Sequence, residues 1–233
     1  MSIQSTFRTR EFKLYPNQFQ EDTLRRWLRL CCRTYNSALE ERIKTYRETG
    51  KGISFVDQCA SLTKLRNVDA ELNDAPRIFE VDALRRIDYG MKAFFRRHKA
   101  GEKPGFPRFR PQQRYNSLES LKEQCYVGES CIHIPKIGEV RARGQFDLIP
   151  SGKQSLLRVI KRASGWYAQV VVEVPAEPLS STGEECGIDL GLESFLTLDT
   201  GEKVGNPRLL RKAAKRLRAA QKKLSRRMKG SNR

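Results

Sequence analysis

The spacing of apolar positions changes period along the chain, and each change marks an element. Over residues 5–15, Phe7, Phe12, Leu14 and Tyr15 sit among charges. That pattern predicts a half-buried strand with a basic outer face, ended by Pro16. From Asn17 the period becomes helical: Leu24, Trp27, Leu28, Cys31, Tyr35, Ala38, Leu39 and Tyr46 recur every three or four residues. Asn17 with Gln20 reads as a capping box, and Thr49 to Gly52 closes the helix. A second, shorter helix is capped by Ser54 and Asp57, with Val56, Cys59, Leu62 and Leu65 as its apolar side. A third runs from about Arg77 to His98, with Val81, Leu84, Ile87, Met91, Phe94 and Phe95 at helical spacing. Prolines and glycines forbid helix across residues 100–117.

Beyond Cys131 the period is that of strands. CIHIP, EVRARG, QFDLIP, LLRVIKR and WYAQVVVEV are punctuated by Gly138, Gly144, Gly152 and Gly165. Together with the first strand they predict a small barrel, and the three helices then form an insertion within it. Residues 175–185, rich in Pro, Ser and Gly, mark a domain boundary. After it come a buried strand ending at Asp189, a hairpin through Phe195, Leu196 and Leu198, and a helix capped by Asn206 and opened by Pro207, reaching about Met228. Leu210, Leu217 and Leu224, seven apart, predict a packed stripe on a helix whose other faces are basic.

Charge narrows the function. The chain of 233 residues has 45 Lys and Arg against 27 Asp and Glu, a net charge of +18. The excess is concentrated. Residues 206–233 carry 12 Lys and Arg and no acid, and residues 92–114 carry eight with Glu102 as the sole acid. Such one-sided blocks favour nucleic acid as a partner over a merely solvated surface. Phe106, Phe109 and Tyr115 interleave with Lys103, Arg108, Arg110 and Arg114, the combination that stacks on bases and neutralises phosphates. The same aromatics could instead anchor a linker to the core. No apolar run approaches the ~18 residues that span a bilayer, and the first residues lack a secretory pattern, so a cytoplasmic protein with no membrane partner is expected. The six cysteines form no Cys-x-x-Cys pair, and His98 and His133 stand apart from them. Buried reduced thiols are expected rather than a zinc site.

The sharpest local motif is Gly187-Ile188-Asp189-Leu190-Gly191. A carboxylate at the end of a hydrophobic strand is held where it can reach a hard cation, and flanking glycines leave room for phosphate. The five residues alone fit a metal-binding carboxylate of an RNase H-like nuclease, the phosphate loop of a hexokinase- or actin-like ATPase, or a structural turn. The basic surroundings favour the first.

Taken together, several motifs resemble the OrfB/TnpB proteins of insertion sequences, compact relatives of type V CRISPR effectors. The likeness lies in Cys32 to Leu39 (CRTYNSAL), in Ala93 to Arg97 (AFFRR), in Gly105 to Phe109 (GFPRF), in IKRASGWYAQVVVEV and in GIDLGLESFLTLDTGEKVGNP with the helix after it. The resemblance implies an α+β chain in three parts. These are a wedge-like β-barrel (1–15 plus 118–175), a helical recognition insertion (16–117) and an incomplete RNase H-like, or RuvC, domain (183–233). It implies guide RNA and double-stranded target DNA with a short adjacent motif as partners. It implies Mg²⁺ as cofactor, with Asp189 as the first catalytic, metal-binding carboxylate. Arg96, Arg97, Lys103, Arg108 and Arg110 are expected to line one nucleic-acid surface, and Lys215, Arg216, Lys222 and Lys223 another. The family's later catalytic Glu and Asp and its zinc ribbon have no counterpart up to Arg233. Residues 1–233 are therefore expected to correspond to a truncated endonuclease that binds but does not cut, or alternatively to a guided repressor.

Overall fold

A computed structural model describes residues 5–121, 124–146, 153–176, 183 and 185–227. The chain divides into two compact units, Met1–Glu177 and Pro178–Arg233.

The first unit begins with strand β1 (Ser5–Tyr15) and continues through helices α1 (Gln18–Thr49), α2 (Phe55–Val68), α3 (Ala70–Asp74) and α4 (Arg77–Lys99). An extended stretch holding one 3₁₀ turn leads into β2 (Ser117–Leu121), β3 (Tyr126–Val127), β4 (Cys131–Ile134), β5 (Gly138–Arg143), β6 (Lys153–Arg162) and β7 (Gly165–Pro175). All seven strands form one antiparallel sheet in the order β2-β6-β7-β1-β5-β4-β3. β1 is the seam. It pairs with β7 from Ser5↔Pro175 to Leu14↔Trp166, and with β5 only from Lys13 to Tyr15. Among the described residues the sheet is open, with β2 and β3 at its edges, so the expected closed barrel is not formed by these pairings. Of the predicted strand QFDLIP, residues 147–150 lie outside the described residues.

One face of this sheet is apolar, as the two-residue period demands. Trp166, Ala168, Val170, Val172 and Val174 of β7 are buried on it with Phe12, Leu14, Leu157, Val159, Ile132 and Val140. They share a single core with Leu24, Trp27, Cys31 and Leu39 of α1 and Phe79, Ala83, Leu84 and Ile87 of α4. Polar ties fix the helices to the sheet. The Gln20 amide donates to the carbonyls of Ile137 and Glu139 at 3.2 and 2.8 Å, and the Arg86 guanidinium donates to the Ser117 hydroxyl at 3.1 Å. Towards its N-terminus β1 is exposed on both faces and has β7 on one side only; Arg8 and Arg10 there discourage edge-to-edge pairing.

The helix ends follow from local chemistry. The Asn17 side chain accepts from the Gln20 N–H at 2.8 Å and the Gln20 side chain from the Asn17 N–H at 3.1 Å. Gly50, at φ +69°, closes α1 in the left-handed conformation. Ser54 and Asp57 cap α2 in the same reciprocal way. The apolar side predicted for α2 holds only in part: Leu62 is buried and Cys59 packs against the core, but Val56 and Leu65 are exposed, and Gln58 is buried instead. On α4, Phe95 is likewise exposed rather than in the core. Of the six thiols, Cys31, Cys32 and Cys125 are buried and Cys186 is exposed.

In the second unit β8 (Ile188–Asp189), β9 (Ser194–Leu198) and β10 (Lys203–Gly205) form an antiparallel sheet in the order β10-β9-β8, followed by α5 (Leu209–Ser225). Three expectations are corrected here. The strand reaching Asp189 is exposed, because no described element covers it. Asn206 does not cap α5; its side chain accepts from the Arg208 N–H at 3.0 Å and donates to the Leu192 carbonyl at 3.1 Å, fixing the preceding turn. Leu210, Leu217 and Leu224 are exposed, and Met228 lies outside the described residues.

Candidate nucleic-acid interface

The cations predicted for the first unit lie along one path. Arg96 and Arg97 are exposed in the last turn of α4, where the helix dipole favours positive charge. The chain then doubles back. Phe106 meets Phe94 edge-on, ring centroids 5.4 Å apart, and Pro107 lies so close to Gly90 that a Cβ there would come within 3.3 Å of it. Lys103 and Arg108 are exposed on this returning segment. The Tyr35 hydroxyl of α1 donates to the Arg108 carbonyl at 3.3 Å.

Arg110 is placed differently. The Asn36 carboxamide grips its backbone twice, accepting from the N–H at 2.9 Å and donating to the carbonyl at 3.0 Å. The guanidinium lies over the Tyr35 ring at 4.8 Å and reaches that of Tyr115 at 6.0 Å. This cation braces the segment against α1, at a geometry worth about 0.5–2 kcal/mol.

Sequence reasoning missed a row on α1. Arg25, Arg29 and Arg33, four residues apart on the side opposite the apolar stripe, line two clefts of about 650 and 510 Å³. Arg29 and Gln112 line both clefts. Arg25 pairs with Glu21, and Arg33 with Glu71 at 2.8 Å. Arg29 has no such partner among the described residues. The four-residue period of these arginines was the available signal.

In the second unit Lys215, Arg216, Lys222 and Lys223 are all exposed on α5. Lys215 with Lys222, and Arg216 with Lys223, are two turns apart and so share a helix face. No described residue of α5 is buried.

Asp189 is exposed at the end of β8, opposite Thr197 of β9, and its carboxylate has no hydrogen-bond or ion-pair partner among the described residues. The acid that is held is Asp199. Its carboxylate accepts from the Gly187 N–H at 2.9 Å, its own N–H donates to the Gly187 carbonyl at 2.9 Å, and the first of these bonds lowers its pKa. The glycines serve this packing: a Cβ on Gly187 would stand 3.2 Å from that of Asp199, and one on Gly191 would stand 3.2 Å from the Ser194 carbonyl. No group of three or more His, Cys, Asp or Glu suited to a metal occurs among the described residues. One free carboxylate does not fit a two-metal site, which needs ions ~3.5–4 Å apart bridged by several ligands. No helix among the described residues is long and apolar enough to cross a membrane.

A mixed α/β protein with basic, exposed helices and an exposed carboxylate on a hairpin is thus the class in hand. Two family profiles match it in order. A helix-turn-helix domain of OrfB from IS605 covers residues 3–51, and the OrfB profile from IS605 described as "Probable transposase" covers residues 169–233. Two separate stretches of the chain are thus similar to OrfB proteins of IS605. Across residues 3–51 the described structure is one strand and one continuous helix, not two helices about a turn. A "Putative RNA-guided DNA endonuclease" of Streptomyces pristinaespiralis is 26% identical over 234 residues, covering 98% of this chain and 57% of that protein. The "Putative RNA-guided DNA endonuclease InsQ" of Escherichia coli (strain K12) is 26% identical over 230 residues, covering 95% and 54%. The chain therefore spans about half the length of these curated relatives. A Cas12f1–sgRNA–target DNA complex solved by cryo-EM aligns over 95% of this chain and 62% of that one, with a TM-score of 0.40 and 14% identity, too slight a likeness to decide the fold of either unit.

Proposed function

We propose that residues 1–233 form the nucleic-acid-gripping part of an RNA-guided DNA endonuclease, binding guide RNA and target DNA electrostatically without cleaving either. The observation that carries this reading is α5 and its flanks: residues 206–233 hold 12 cations and no acid, and no described residue of the helix is buried. A helix so charged repels itself unless a polyanion compensates it. The two profile matches and the names of the two relatives support the choice of RNA and DNA.

In this reading Arg96, Arg97, Lys103 and Arg108 contact phosphates on one surface. Lys215, Arg216, Lys222 and Lys223 contact them on another. Asp189 would serve as one carboxylate ligand to Mg²⁺ in a RuvC-type site of the RNase H-like class. That site needs further carboxylates, so no cleavage step follows from these residues alone.

Binding of fluorescein-labelled RNA and DNA to the purified chain, measured at several salt concentrations, is the test. The affinity should fall with a log–log slope of roughly −0.7 to −0.9 per neutralised phosphate. A salt-independent affinity would overturn the reading. Incubation with Mg²⁺ and DNA should yield no products. Cutting that disappears in Asp189→Ala would show instead that the carboxylate works without further ligands from this family's later residues.

A further inference from the structure

The end of α1 and the end of α4 enclose a pocket of about 570 Å³ that the phosphate surface does not need. Its walls include Tyr46, Phe94, Phe95 and Phe106. Three of these are open to solvent, with Tyr46 at 62%, Phe95 at 54% and Phe106 at 42% exposure. Phe94 fixes the other two phenyl rings, meeting Phe95 at 5.3 Å and Phe106 at 5.4 Å, both edge-on. Aromatic faces left in water cost free energy unless something covers them.

The charges around these rings say what kind of molecule that is. Arg42, Arg47 and Lys92 line the same pocket, with Asp88 as its acid. The Arg47 guanidinium has no hydrogen-bond or ion-pair partner among the described residues. Arg42 is buried. Its Nε donates to Gln58 at 2.6 Å, while its Nη2 has no hydrogen-bond acceptor and stands 3.8 Å from Asp88. Lys92 reaches Asp88 at 2.8 Å. The pocket thus combines flat apolar walls with more positive than negative charge. That pairing suits a nucleotide whose base stacks and whose phosphate meets the cations. A base paired in a duplex cannot enter, so the nucleotide must be unpaired. Asp88 selects further: a carboxylate beside a polyanion is unfavourable unless it accepts a hydrogen bond. Every ribose offers a 2′-hydroxyl donor that deoxyribose lacks.

We infer that this pocket captures an unpaired nucleotide of single-stranded RNA, its base stacked on Phe95 and Phe106 and its phosphate held by Arg47 and Lys92. The inference rests on the nucleic-acid reading above and deepens it.

The test uses the full chain with a single-stranded RNA of about 12 nucleotides, the matching DNA, and an RNA duplex of the same length, each fluorescein-labelled. Phe95→Leu and Phe106→Leu keep apolar volume but remove the planes, and thermal melts check that both variants fold. The expected result is a loss of roughly tenfold or more in affinity for single-stranded RNA, within the range for one stacked base. Duplex affinity and the salt slope should stay unchanged. Arg47→Gln should instead lower the salt slope by about one phosphate's worth. An unchanged single-strand affinity in folded Phe95→Leu and Phe106→Leu overturns the pocket assignment while leaving the electrostatic reading intact. Equal binding of DNA and RNA overturns the choice of RNA. A parent chain that binds none of the three probes overturns both.

Discussion

Glu80 is the residue whose setting most contradicts its chemistry. It is fully buried on α4, and burial pushes its carboxyl up to about 7, against the opposing pull of Arg66 on α2, Lys136 in the β4–β5 turn and Arg77. Asp82, also buried, rises to about 6 although Arg86 pairs with it at 2.7 Å. A raised carboxyl pKa means that the folded chain holds a proton the unfolded chain has already released. The stability that Glu80 contributes is then fully present below about 4.5, the ordinary value for Glu, and is lost as pH rises through about 7. Glu80→Gln should flatten that decline, which Glu80 alone can set at no more than about 3 kcal/mol. Urea unfolding at pH 5 and pH 7.5, on parent and variant, measures it; equal slopes in both would contradict the assignment. Such residues also explain what the sequence hides. The apolar period of α2 pointed to Val56, Cys59, Leu62 and Leu65, yet beside Leu62 the helix packs through Gln58, whose amide donates to the Ala38 carbonyl and to Glu41, both at 2.9 Å, and accepts from Arg42. A satisfied polar core residue leaves no mark in hydrophobic periodicity. Arg110 was legible as a cation, but its double grip by Asn36 spans 74 positions and no local pattern reports it.

At the scale of elements, legibility follows how local the cause is. β1, α1, α4, β7 and α5 could be read because the period lies within each segment, and in α1 the caps do too. β2 and α3 could not. The five residues of β2 become a strand only by pairing with β6 from Ser117↔Ile160 to Leu121↔Leu156. The exposure of β8 and of the α5 leucines was equally hidden, since a period shows which residues can be covered but not whether anything covers them. Local causes make sharp predictions. Gly50→Ala meets nothing within 4 Å, so only the left-handed backbone resists it, and about 1 kcal/mol of stability should be lost. Gly144→Ala asks for no left-handed backbone but would drive a Cβ into Cδ1 of Phe12. The core must shift, at about 1–3 kcal/mol. Denaturant midpoints for both variants rank the two causes, and an equal or reversed order would show that the core around Phe12 yields freely.

For the molecule as a whole, the net charge is +18, and each unit carries exposed cations of its own. The replacement of Lys215, Arg216, Lys222 and Lys223 by Gln removes four exposed charges and no packing. The melting temperature should therefore hold, while the log–log salt slope for RNA or DNA falls by up to about 3. An unchanged slope would place α5 outside the interface. The resemblance to OrfB proteins was legible from the motifs, and two family profiles match parts of the chain. The site was legible only as chemistry: the arginines of α1 that line the two clefts became visible when folding set them beside residues 112–116 and 161–163.

The seam position of β1 has a consequence for biosynthesis. β1 leaves the ribosome before the other described strands of its unit and runs along β7 for most of its length, and β7 is among the last of them to be made. Until Gly165–Pro175 emerge, Phe12 and Leu14 have no long neighbour to zip against, and the helical segment must wait with its apolar stripe uncovered by a finished sheet. Nascent chains arrested ahead of that point should be the ones that recruit chaperones, and release past it should close the unit in a single late step.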